Sequence, residues 1–474
     1  MKILSILFTT AGEGRSNFLG VSNPYIRRTT TTRCITDCCS FGKHAGQNNP
    51  LLVVAPALII TQSQGETHME VLIERCCGLD VHKKSITACI ITPEGKEIQT
   101  FATMTRNLIA LVDWVKQNRC THVAMESTGD YWKPIYNLLE LEDLQPMVVN
   151  AQHIKSVPGR KTDVQDAAWI ARLLRHGLVQ GSYIPNRDQR ELREVIRYRR
   201  SIIEERTREV NRLQKVLEGG NIKLSSVASN VLGVSGRNML EAMIKGETDT
   251  AILADFAQKK LKLKKEQLKL ALEGRLGPHQ LLMIEKQLAH IDYLNDLITE
   301  LDTEIDSRMT PFAEDLKLVD TIPGVGKRTA EQVLAEIGTD MTRFPTPGHL
   351  CSWAGMTPGH NESAGQKRSA KTRKGNKKLR SALVEAARAA ARKKNTYLSA
   401  QYHRIAARRG KNRAAVAVGH TILTIIHILL TRKQEYVELG FDYFDKRKRD
   451  ILISSSIKRL ESLGLTVNIQ EQTV

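Results

Sequence analysis

No run in the chain reaches the roughly 18 apolar residues that a membrane-spanning helix needs. The nearest, "VAVGHTILTIIHILL" (416–430), is short and carries His420 and His427, so it reads as a core helix. Cysteine is present but unpatterned: Cys34, Cys38, Cys39, Cys76, Cys77, Cys89, Cys120 and Cys351 form no paired CxxC units, which argues against a zinc finger. In a chain of 474 residues they read as reduced thiols of a cytosolic protein. Acid is the other shortage. The 51 Asp and Glu against 70 Lys and Arg leave a net charge of +19, which favours a polyanionic partner, nucleic acid above all, over a merely soluble basic protein.

The length admits two or three domains with sizeable cores. Residues 1–68 stand apart, because "TTTTRCITDCCSFGKHAGQNNP" has neither helical nor strand period. The opening "MKILSILFTTAGEG" faintly resembles a signal peptide, but its apolar stretch is short. Regular patterning begins after Met69. The expectation is therefore that Met69 is the real start and 1–68 an irregular upstream extension; N-terminal sequencing of native protein checks it.

From Cys76 the text turns strand-like. "RCCGLDVHK" and "SITACIITP" run apolar, and "PEGK" turns the chain into "EIQTFAT". A helix ("RNLIALVDWVKQNR"), a strand ("THVAMEST"), a helix ("YWKPIYNLLELED") and a strand ("QPMVVNA") follow. The helix "DVQDAAWIARLLRHG" closes the block, with Ala167, Ile170, Leu173 and Leu174 on one stripe. A strand meander followed by alternating helices and strands predicts an α/β fold with a mixed sheet over 72–185. Residues 186–315 read as a helical, coiled-coil middle. A heptad rhythm runs through Leu281, Ile284, Leu288, Ile291, Asn295, Ile298 and Ile305, broken at Asp302. It suits a coiled coil with Asn295 fixing register, or equally an antiparallel hairpin within one chain. "KKLKLKKEQLKLALEG" is a basic amphipathic helix that could face backbone phosphates or only solvent. A mainly helical C-terminal domain is expected over 316–435, with a polar tail at 436–474.

Four acids stand out by placement. Asp80 falls inside the first strand and Glu126 at the end of a later one; Asp163 and Asp166 open the closing helix and share a side of it. Strands ending in Asp and Glu, crossed by an acidic helix, converge on one point. Carboxylates that close repel unless a hard cation neutralises them, and oxygen ligands favour Mg2+ or Mn2+. Two such ions assist phosphoryl transfer. Each acid also has a plainer reading. Asp163 suits an N-cap, Asp166 complements the helix dipole, and Glu126 could cap the next helix, although Asp130 is better placed for that. Asp80 resists such a reading, since a charge inside an apolar strand is costly unless paired or metal-bound. Asp166→Asn, which should keep the fold and remove metal-dependent cleavage, separates the readings.

"GLDVHKKSITACI", "AMESTGDYWKPIYNLLE" and "GRKTDVQDAAWIARLLRHGL", followed by "TIPGVGKRTAEQVLAEIG" and "FPTPGHLCSWAGMTPGHNESAGQKRSAKTRKGNKKLR", resemble the DEDD transposases of bacterial insertion sequences, the IS one-ten and one-sixteen group. The resemblance spans 72–435, with its stretches in order. It implies a ribonuclease H-like N-terminal domain, similar to the RuvC-like Holliday-junction resolvases, with Asp80, Glu126, Asp163 and Asp166 as its acidic tetrad. It also implies a serine nucleophile in the C-terminal domain. Ser363 in "ESAGQKR" takes that place, with Ala364 between it and Gly365; Ser369 and Ser352 are the alternatives. A structured guide RNA, transcribed from the element itself, is a further implication.

Serine needs activation at neutral pH. Beyond His360, a loop histidine, no base lies near Ser363 in sequence, so the distant tetrad's metal could serve if the domains meet. "QKRSAKTRKGNKKLR" contains Lys367, Arg368, Lys371, Arg373, Lys374, Lys377, Lys378 and Arg380 and no acid, a composition for binding DNA or RNA without sequence preference. Pro323-Gly324-Val325-Gly326, followed by Lys327, resembles a helix-hairpin-helix turn whose glycines let backbone amides approach phosphate. The favoured reading is a cytoplasmic DNA transposase or recombinase, nucleoid-associated when bound to DNA, that forms a phosphoserine link. A structure-selective endonuclease using water, which leaves free ends, is the second. A non-catalytic architectural DNA-binding protein ranks last, because it leaves the order of the carboxylates unexplained. Expected partners are DNA, a guide RNA and further copies of the chain, as a dimer or tetramer.

Overall fold

The computed structural model describes residues 70–126, 129–149, 163–359, 361–363, 366–369, 372, 374–447 and 449–467, with the backbone alone at 163–165, 361–363, 366–369, 450 and 452. The proposed extension, 1–68, lies outside the described residues. Val71–Val474 form one unit.

Its N-terminal part is a five-stranded mixed sheet in the order β3-β2-β1-β4-β5. Strands β1 (Cys76–Val81), β2 (Ser85–Thr92) and β3 (Gly95–Ala102) form the antiparallel meander; β4 (His122–Glu126) and β5 (Gln145–Val149) add parallel to β1. Alternation splits each strand between two faces. Leu79, Val81, Ile86, Ile90, Val123 and Met125 face α1 (Thr105–Gln117) and α2 (Trp132–Leu141), which contribute Leu111, Val115, Ile135 and Leu139. Cys76, Cys89, Ile91, Ala124 and Val149 face α3 (Asp163–Arg175), whose stripe Ala167, Ile170, Ala171 and Leu174 is buried on them. The α/β expectation therefore holds for this part, and the remainder is mostly helical.

Two long helices follow: α4 (Arg187–Gly219) and, after a small helical module, α9 (Pro278–Met309). Of the two arrangements open to the heptad, α9 takes the antiparallel hairpin with α4. Arg308 meets Glu191, Asp302 meets Arg199, and Asn295 Oδ1 accepts from Arg206 Nε at 2.5 Å. Asn295 thus fixes register, but inside one chain. At 1.5 Å per residue each helix is roughly 50 Å long. At the far end, α5 (Leu224–Val227), α6 (Val234–Ile244), α7 (Thr250–Asp255) and α8 (Lys265–Ala271) fold over the hairpin around Leu213, Leu217, Met239, Leu268 and Ile284.

The near end sits in the C-terminal core, where Leu192, Ile196, Ile305 and Met309 join α10 (Ala313–Asp320), α11 (Lys327–Ile337), α12 (Pro347–Trp353), α13 (Lys377–Ala390), α14 (Tyr397–Arg409) and α15 (Lys411–Arg432). Helix α15 is long and apolar enough by composition to cross a membrane, yet Val418, Ile422, Leu423 and Ile426 are fully buried in this core, as expected of a core helix. Between α12 and α13 the chain forms a two-stranded hairpin, β6 (Asn361–Ser363) and β7 (Gln366–Ser369), where the sequence suggested loop. The tail contains α16 (Tyr443–Arg447) and α17 (Arg449–Glu461); Tyr443 and Phe444 pack on Tyr397.

Candidate functional site

The first cluster is built by the way α3 crosses the sheet. An added Cβ on Gly78 would lie 2.3 Å from the Ala167 carbonyl oxygen and 2.4 Å from the Ala171 nitrogen, so helix and strand backbones touch there. Cys76 Sγ donates to the Ala171 carbonyl at 3.4 Å. Moving up β1 from Cys76 through Gly78 therefore moves down α3 from Ala171 through Ala167. The next residue of β1 on that face is Asp80, and the next turn of α3 begins at Asp163. The acidic N-terminus of the helix thus overhangs the C-terminal ends of the parallel strands. Glu126 follows Met125, which pairs with Leu79, and it lies on the same face as Ala124. The backbone brings all four acids to one end of the sheet.

Their surroundings differ. Asp80 is buried, and its Oδ2 lies 3.0 Å from Nε2 of His82. His82 lies two residues on from Asp80, and that spacing is its signal in the sequence. Glu126 and Asp166 are partly buried and make no hydrogen bond or ion pair with the described residues. Glu126 does not cap α2; that helix starts at Tyr131 without a side-chain cap, while Asp130 pairs with Lys133 at 3.2 Å. The donor set is hard oxygen, the kind that Mg2+ takes. Among the described residues no three acid, histidine or cysteine side chains converge closely enough to hold a metal ion, and the side chain of Asp163 lies outside them.

The second cluster is the β6–β7 hairpin. Ser363 ends β6 and pairs with Gln366, Ser369 ends β7, and Pro358 bridges Thr372 at the base. Ser352 lies in α12. His360, Lys371 and Arg373, and the side chains of Ser363, Lys367 and Arg368, lie outside the described residues. Lys374, Lys377 and Lys378 are exposed; the Arg380 guanidinium donates to Thr372 Oγ1 at 2.8 Å.

The base of this basic stretch is pinned. Gly375 crosses Gly355 so closely that a Cβ would lie 2.3 Å from the Gly355 nitrogen. Asn376 caps α13 and donates to Glu336 Oε2 at 2.6 Å. Glu336, 2 % exposed, receives Arg197 of α4 in a fork of 2.7 and 2.8 Å. Burial pulls the neighbouring Arg193 guanidinium below its ordinary value, and Glu336 opposes that pull. Toward the sheet, Arg190 of α4 pairs with Glu140 and lies over the Tyr136 ring, both in α2. Helix α4 is therefore a splint between the sheet and the serine hairpin's foundation.

The glycine turn serves packing as well as exposure. Gly324 has φ +89°, and a Cβ there would lie 2.4 Å from the Ala390 nitrogen, so this residue seats the turn on α13. Gly326 is open and begins α11 without a side-chain cap. Lys327 is held by Asp306 at 2.9 Å, and Arg328 by Asp302 at 3.0 Å. Among the described residues the cysteines of the sheet are held toward the thiol form: burial pushes the Cys76 thiol up to about 11 and the Cys120 thiol up to about 12.

Comparison with known proteins agrees with this layout. A transposase family of DEDD type matches residues 77–222, which take in nearly all of the sheet and the whole of α4. A second, described as the transposase IS116/IS110/IS902 family, matches 316–403. The transposase for insertion sequence element IS1111A of Coxiella burnetii is 26% identical over 374 residues, covering 76% of this chain and 90% of that protein. The pilin gene-inverting proteins of Moraxella lacunata and Moraxella bovis are 26% and 25% identical over 327 residues, covering 65% of this chain and 80% of each. The matches define an enzyme of the DNA transposase and recombinase class. More narrowly, the two family matches, together with the Coxiella burnetii relative, support an IS110-family transposase.

Proposed function

We propose that this protein cuts and rejoins DNA through a ribonuclease H-like carboxylate centre, Asp80, Glu126, Asp163 and Asp166, together with the nucleophile Ser363. The observation that carries the reading is the antiparallel crossing of α3 over β1 at Gly78, which stacks an acidic helix end over two acidic strand ends. The four carboxylates would hold Mg2+ or Mn2+, whose chemistry there is neutralisation of charge at the scissile phosphate. His82 orients the Asp80 carboxylate.

The Ser363 hydroxyl attacks the phosphorus, the bond to the leaving strand end breaks, and that oxygen departs with the serine's proton. The result is a phosphoserine diester. In rejoining, a strand-end hydroxyl attacks the same phosphorus and the proton returns to Ser363, so no nucleotide is consumed. The basic stretch through Lys367, Arg368, Lys371, Arg373, Lys374, Lys377, Lys378 and Arg380, with the open turn at Gly326, holds backbone phosphates. An element-encoded RNA supplies sequence choice, and at least two chains, in a dimer or tetramer, serve the two duplexes. The setting is the bacterial cytoplasm.

Mass spectrometry of trapped complexes should find DNA on Ser363 in the wild type and none in Ser363→Ala. An adduct in that variant, or free ends without an adduct in the wild type, overturns the serine step. Asp166→Asn should keep the melting temperature and lower metal-dependent cleavage by at least roughly 100-fold. Sequencing RNA that copurifies with the full chain tests the guide.

A further inference from the structure

The basic segment between α7 and α8 is unused by the reaction just described. Lys259–Lys264 form a 3-10 helix of six residues, about two turns, at the far end of the hairpin. Lys265 and Lys269 are paired with Asp255 and Glu266. Lys259, Lys260, Lys262 and Lys264 are exposed and make no ion pair among the described residues. Three of them line an open cavity of about 480 Å3, opposite Gly233, Val234 and Ser235 at the start of α6, and no acid lines it. The helix is built in place. Gln258 N donates to Ser235 Oγ at 2.9 Å, and Lys259 adopts φ +50°, a backbone state that costs a lysine about 1 kcal/mol or more. Leu261 anchors the segment against the distal core, while Leu263 is 89 % exposed.

We propose that this cavity binds the sugar–phosphate backbone of a nucleic acid, as a second contact remote from the carboxylate centre. Unpaired lysines around a cavity without acid are the arrangement that counterion release rewards. The cavity has no aromatic lining for base stacking, so it takes the backbone and not the bases. It lies most of the length of α4 from the sheet, so it grips nucleic acid that flanks the reacting phosphate. The inference rests on the reading of the chain as a nucleic-acid enzyme.

The test uses the full chain in EDTA, so that binding is read without cleavage. Fluorescence anisotropy against salt is measured with a random-sequence DNA duplex and, separately, with a random-sequence hairpin RNA. The Lys259→Gln, Lys260→Gln, Lys264→Gln triple variant should keep its melting temperature and show a salt slope shallower by about 2 to 3 with one polymer, which identifies the source. The corresponding triple arginine variant should restore the slope. Slopes that superimpose on wild type with both polymers overturn the proposal and leave the helix as a protein-facing or solvated surface. Wild type that binds neither polymer overturns the nucleic-acid reading itself.

Discussion

Two groups of positive charge, one at each end of the α4–α9 hairpin, are used in opposite ways. At the near end Arg190, Arg193, Arg197, Arg199, Lys327 and Arg328 each meet a carboxylate, and Glu336 is almost wholly buried beneath two of them. At the far end four lysines in six residues meet none among the described residues. Those six cations hold elements together, whereas these four lysines are available, beside distal neighbours such as Arg237 and Lys265 that are paired with Asp292 and Asp255. A net charge of +19 does not distinguish the two; only partners do. Lys327 shows this most directly, since the sequence marks it for phosphate and the fold engages it with Asp306.

That contrast can be broken at its structural end. Glu336→Ala removes the acceptor for Arg197 and Asn376 and leaves Arg193 buried without its carboxylate. It should cost about 3 to 5 kcal/mol in urea unfolding. A loss below about 1 kcal/mol would show that the near-end network is ornamental. Gly324→Ala comes next, at about 2 to 3 kcal/mol, because it forces alanine into a left-handed conformation against the α13 backbone. Thermal unfolding reads it, and a fall in nucleic-acid binding without a fall in stability would return Gly324 to the phosphate-contact role. Asp306→Asn is the smallest, under about 1 kcal/mol, since the pair with Lys327 is half exposed. The hydrogen bond from Lys327 holds the Asp306 carboxyl below its ordinary value. Its stabilisation is therefore present above the unfolded carboxylate range and is lost as pH falls through the lowered folded value. Urea midpoints for wild type and variant should converge in acid.

What the sequence disclosed follows from the range of its signals. The sheet and its helices were legible because alternation and the 3.6-residue period are local. Asp80 was legible because a carboxylate in an apolar strand is itself an anomaly. The partnership of Glu336 with Arg197 was not, because the two lie far apart in sequence and nothing near either marks the other. The heptad of α9 reads the same whether its partner is another chain or α4. Gly324 and Gly326 look alike in text, yet one is packed and the other open. The β6–β7 hairpin escaped notice because its polar residues carry no apolar alternation.

Helix α4 runs without a break from the sheet to the distal module, and so it also works as a ruler. The 31 residues from Gln189 to Gly219 fix roughly 45 Å, about 13 base pairs of duplex at 3.4 Å each. The spacing between the reacting phosphate and any distal grip is then written in helix length. Matched insertions of about seven residues in α4 and α9, near two full turns, would move that grip outward by roughly 10 Å without turning it to another face.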